Sequence, residues 1–110
     1  LPFAEAEPGV TGLELLLPLT LKWASETRTG LLAALAKVTA GASAVLGLGE
    51  MAGTLREGAP ADLCLFDPEE AWTVTREGLA SQGRHTPYLD MEVVGRVRVT
   101  VVDGRVVFER

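Results

Sequence analysis

The side chains able to do chemistry in this chain are few and scattered. One cysteine, Cys64, and one histidine, His85, stand far apart, whereas a zinc-type centre needs three or four closely spaced ligands from His, Cys, Asp or Glu. No complete metal site is expected within the chain. Cys64 lies in the apolar run "LCLF" and reads as a buried structural thiol, with no second cysteine for a disulfide. His85 sits in the turn-rich "SQGRHTPY" and reads as a surface or hydrogen-bonding residue. Ser25, Ser43 and Ser81 lack the strand-turn-helix elbow that activates a serine nucleophile. Glu69 and Glu70 follow Pro68 in an expected turn and should face water. "GLGEMAGTLREG" has neither the lysine nor the preceding strand of a phosphate loop. No catalytic residue and no metal ligand is assigned.

One chemical feature survives in "EPGVTGLELLLPL", residues 7–19. A glycine-punctuated loop runs into a leucine-rich helix there. Free backbone N–H groups and the positive end of a helix dipole meet at one point, where a carboxylate could bind.

The elements that must position this loop follow from composition and period. Hydrophobic residues make up 47% of the 110 and charged residues 23%, which suits one folded domain. The formal charge is −5 and no basic run occurs, so nucleic acid and anionic membrane are poor partners. No apolar stretch approaches the ~18 residues needed to span a bilayer. With no targeting pattern at the N-terminus, the cytoplasm is the expected compartment. The opening "LPFAEAEPG" reads as the interior of a longer polypeptide.

From Leu13 to Leu48 the apolar spacing is helical. It predicts one helix capped by Thr11 or Gly12, with Pro18 kinking or dividing it. A second helix, capped by Thr29, should stop at Gly41, and a short third turn should follow. Gly47, Gly49, Gly53 and Gly58 mark a boundary. After Ala61 the period becomes two. "ADLCLFD" should be a buried strand closed by Asp67-Pro68, and "AWTVT" a second strand. In the last segment Val97, Val99 and Val101 should share one buried face and Arg96, Arg98 and Thr100 the other. Asp103-Gly104 suits a type I′ hairpin turn, which needs positive φ at both central residues. About four strands are available, leaving an exposed edge. Trp23 and Trp72, remote from any basic cluster, are expected to serve packing.

Taken together, these segments resemble the C-terminal quarter of dihydroorotases. The resemblance is carried by "PFAEAEPGVTGLELLLPL" (2–19), "LGLGEMAGTLREGAPADLCLFDP" (46–68), Trp72 with its strand, and "SQGRHTPYLDMEVVGRVRVTVVDGRVV" (81–107). The first and last blocks are the more specific, and the middle one is shared with hydantoinases and allantoinases. The chain departs from the family pattern at Pro8, His85 and Asp90, the last replacing a common glycine.

The resemblance implies an α/β enzyme: a (β/α)8 TIM-type barrel with a small composite β domain built from both chain ends. Residues 1–48 would end the barrel, 49–60 would connect, and 61–110 would be the C-terminal share of the β domain, its open edge covered by the missing N-terminal part of the same polypeptide. It further implies reversible cyclisation of N-carbamoyl-L-aspartate to dihydroorotate, with one or two zinc ions held by residues outside this segment, which alone would be inactive. "PGVTG" would be a barrel loop, with Pro8 and Gly9 binding the small-molecule substrate through backbone. A homodimer or aspartate carbamoyltransferase would be its protein partner. The alternatives are a non-catalytic dihydroorotase-like partner of that transferase, or an allantoinase or hydantoinase.

Overall fold

A computed structural model describes residues 2–110, in which three helices precede one three-stranded antiparallel sheet. A 3-10 turn, Leu13–Leu15, leads into α1, Leu16–Glu26. Pro18 is the third residue of α1, and the amides of a first helical turn lack intrahelical partners in any case. The expected kink is therefore replaced by a change of helix type ahead of the proline. Gly12 precedes the turn without a side-chain cap, and Thr11 uses its amide elsewhere.

Helix α2, Leu31–Val38, follows Gly30, again without a side-chain cap. The Thr29 hydroxyl lies 2.7 Å from the Thr27 hydroxyl, which corrects its assignment as the cap. The helix breaks at Thr39, whose Oγ1 donates back to the Leu35 carbonyl at 2.7 Å. Gly41 lies inside α3, Ala40–Val45, instead of ending α2. A Cβ at Gly41 would stand 2.8 Å from the Ala36 carbonyl oxygen, so the residue permits the close approach of α3 to α2.

The sheet order is β1-β2-β3, with β1 Leu63–Thr73, β2 Glu92–Val102 and β3 Arg105–Glu109. The two strands expected on either side of Pro68 are one. Asp67 pairs with Arg96 and Ala71 with Val94, so four steps along β1 match two along β2 and the surplus forms a bulge. Asp67 Oδ1 accepts the Glu69 amide at 2.9 Å inside it. Proline ends pairing locally without ending the strand, because the bulge removes the need for its N–H.

The β2–β3 hairpin turns at Asp103 (φ 49) and Gly104 (φ 78), as the dipeptide predicts. The residues before β1 brace it: Ala61 O accepts from Gly104 N at 3.0 Å and Asp62 Oδ1 from Asp103 N at 2.8 Å. The valine alternation expected along β2 does not hold. Leu65 pairs with Val99 but Phe66 with Val97, leaving Arg98 as an extra residue that interrupts the two-residue period. Val97, Val99 and Val101 are half-buried, as are Arg96 and Thr100; the fully buried positions of β2 are Val93 and Gly95.

The core is Leu15, Val74, Leu79 and Val93, supported by Leu19, Trp72, Tyr88 and Leu89. It lies where the start of α1 meets the sheet and the segment after β1. Gly95 (φ 106) brings β2 directly under α1: a Cβ there would collide with Leu21 Cδ1 and come within 3.9 Å of Pro18 Cα. Trp72 Nε1 donates to the Gly95 carbonyl at 2.8 Å, and the Arg96 guanidinium stands 5.2 Å from the Trp72 ring centre. Trp72 thus packs as expected, whereas Trp23 is 42% exposed. Asp90 takes φ 66, the left-handed conformation that explains a glycine as its alternative.

Cys64 is exposed, contrary to its reading as a buried thiol. It belongs to an edge strand, where Leu65 beside it is 50% exposed too, so an apolar sequence context did not secure burial. Partial desolvation nevertheless holds its thiol above the ordinary range. Among the described residues no helix is long and apolar enough to cross a membrane.

Candidate functional site

The loop before α1 is tied to a segment far along the chain through Glu14. In the 3-10 turn its Oε1 accepts the Ala80 amide at 2.9 Å, while Oε2 accepts the Ser81 amide at 2.9 Å and the Ser81 hydroxyl at 2.6 Å. Burial raises the carboxyl's pKa, but the Ser81 hydroxyl, the Ala80 and Ser81 amides and the charge of Arg110 outweigh that and leave it below its usual range. A carboxylate whose lone pairs are committed in this way is a poor base. Its chemistry here is that of an anchor.

A second tie lies alongside. Thr11 N donates to the His85 carbonyl at 2.6 Å, and a Cβ at Gly83 would sit 2.9 Å from Thr11 Oγ1. Beneath both ties Leu15 and Leu79, one residue on from Glu14 and one before Ala80, are buried in the same core. Two stretches 66 residues apart therefore form one surface. They belong to the two blocks that carry the resemblance most specifically.

Pro8 and Gly9 lie just ahead of these ties and are exposed. Gly9 has no positive φ, and a Cβ there would meet no atom within 4 Å. Among the described residues its N–H makes no backbone hydrogen bond. His85 is exposed and contributes its carbonyl. Ser81, dismissed as a nucleophile, serves as a donor to Glu14.

Glu70 departs from its reading as a water-facing carboxylate. It is half-buried, and Arg98 Nη2 donates to its Oε1 at 2.8 Å; Glu69 is exposed. The Glu14 clamp was missed because sequence marks only an acid in a first helical turn, a favourable position whatever its partners. Between α1 and the sheet a hollow of about 220 Å³ is lined by Glu14, Leu17, Trp72, Thr100, Phe108 and Arg110. Among the described residues no three of His, Cys, Asp and Glu converge to hold a metal ion.

The model of the amidohydrolase family matches residues 21–108. This chain belongs to that family. Among curated relatives, a dihydroorotase from Trichlorobacter lovleyi is 41% identical over 106 residues, covering 96% of this chain and 24% of the relative. A dihydroorotase-like protein from Pseudomonas aeruginosa is also 41% identical, covering 98% of this chain and 25% of the relative. Among solved structures, the L-hydantoinase from Arthrobacter aurescens superposes with a TM-score of 0.84 at 30% identity, over 94% of this chain and 23% of that one. The chain thus spans about a quarter of the length of the amidohydrolases it matches.

Proposed function

We propose that this chain is the C-terminal portion of a dihydroorotase, which interconverts N-carbamoyl-L-aspartate and dihydroorotate in pyrimidine synthesis. The observation that carries this is the union of residues 11–14 with residues 81–85, because these stretches fall in the two blocks most specific to dihydroorotases. The relatives named dihydroorotase, near 40% identity over almost the whole chain, support it against hydantoinase, whose similar structures are 22–30% identical.

In this reading residues 1–48 close a (β/α)8 barrel, 49–60 connect, and 61–110 form part of a composite β domain. Pro8 and Gly9 meet the substrate: both substrate forms carry carboxylates, and the Gly9 N–H has no Cβ beside it to obstruct one. Among the described residues no group fits a zinc site. Zinc, where the enzyme uses it, is supplied by residues outside this chain, and no step is assigned to it. The expected setting is the cytoplasm, with a homodimer or aspartate carbamoyltransferase as partner.

The test is to assay the full-length polypeptide on dihydroorotate, N-carbamoyl-L-aspartate, allantoin and hydantoin. Turnover of the first two in preference to the others is expected; preference for allantoin or hydantoin overturns the assignment. A second reading, a non-catalytic partner, is favoured by relatives named dihydroorotase-like at 41% identity. It predicts no turnover of any of the four and co-purification with aspartate carbamoyltransferase.

A further inference from the structure

We infer that Glu14 is a positioning residue for substrate binding, holding the Pro8–Gly9 loop in register through its clamp on Ala80 and Ser81. This rests on the reading that Gly9 N–H meets a substrate carboxylate. Within a few residues of Gly9 the loop has two ties outside its own helix: Thr11 N to His85 O, and the three bonds accepted by Glu14. Gly9 is exposed and a Cβ there would meet no atom within 4 Å, so its N–H direction is inherited from those ties. Both ties end on the same short segment, residues 80–85, which leaves the core at Leu79. Freeing Ala80 and Ser81 from Glu14 lets that segment move relative to α1, and the His85 carbonyl moves with it.

The contact this serves involves a carboxylate that is not itself broken or made in the amide chemistry. Such an interaction is held alike in ground and transition states, so its loss raises KM and spares kcat. A merely structural Glu14 would lower stability without that split.

The experiment uses the full-length enzyme with dihydroorotate as the probe, and measures KM, kcat and melting temperature for wild type, Gly9→Val, Glu14→Gln, Ser81→Ala and the double variant Gly9→Val/Glu14→Gln. Glu14→Gln keeps the shape but removes the charge and one acceptor oxygen. It is expected to raise KM about fivefold or more with kcat changed less than about twofold. Ser81→Ala should shift KM the same way by less, and it decides the matter should Glu14→Gln fail to fold. In the Gly9→Val background the Glu14 change should add little, because both act on one contact. Lowered melting temperature with unchanged KM in both clamp variants overturns the proposal. An active Gly9→Val enzyme with unchanged KM overturns the loop's substrate contact and this proposal with it, while a wild type that turns over no dihydroorotate overturns the functional reading beneath both.

Discussion

Replacing Gly95 by alanine tests the contact that seats α1 on the sheet. Two costs arise at once. At φ 106 the backbone is in a region that residues with a Cβ rarely enter, and such strain costs about 1–3 kcal/mol. The new methyl would also overlap Leu21 Cδ1, and overpacking of this kind costs about 1–3 kcal/mol. Leu21 is half-buried and can swing aside, which favours the lower end of that range. Pro18 Cα, 3.9 Å away, is backbone and fixed, but that distance is ordinary contact. The Trp72 Nε1 bond to the Gly95 carbonyl is at risk if β2 shifts, adding about 1 kcal/mol at most. Together these give a destabilisation of about 2–4 kcal/mol. Urea unfolding of the full-length protein, followed by Trp fluorescence, measures it. Repeating the change in a Leu21→Ala background removes the steric part and should recover about 1 kcal/mol or more. A Gly95→Ala midpoint equal to wild type refutes the reasoning, and an equal cost in both backgrounds refutes its steric half.

Gly104→Val isolates a conformational cost, because a Cβ at Gly104 meets nothing within 4 Å and only the φ of 78 is at stake. A loss of about 1–2 kcal/mol in denaturant unfolding is expected, and a neutral result would show the turn can change type without penalty. Ser81→Ala removes a hydrogen bond to a half-buried carboxylate and should cost about 1 kcal/mol, less than a fully buried charged bond because solvent competes. Glu14 also predicts a pH dependence. Its folded pKa lies below its ordinary 4.5, so the unfolded chain takes up the proton first as pH falls. Its contribution is fully present above that ordinary value and is lost as pH drops through the depressed one. Acid titration of stability should show a steeper fall for wild type than for Glu14→Gln, and parallel curves would refute the clamp's electrostatic role.

Much of the local structure was legible in the sequence, because it depends on neighbours in the chain. The Asp103-Gly104 turn is decided by which residues tolerate positive φ, and the helical half by apolar spacing. Even the resemblance to dihydroorotases rested on contiguous blocks. Where the sequence misled, a distant partner intervened. Pro68 looked like the end of a strand, but pairing with β2 carries β1 through a bulge. The valines of β2 promised one face until the extra Arg98 broke the period. Cys64 lies in an apolar run yet is exposed, since burial depends on what covers an edge strand and not on its own residue types. Glu14 is the sharpest case. Sequence placed an acid at a helix start, where it is stabilising with or without a partner. Only the folded chain brings Ala80 and Ser81 to it across 66 residues, because a hydrogen bond depends on distance and direction in space and position along the chain encodes neither.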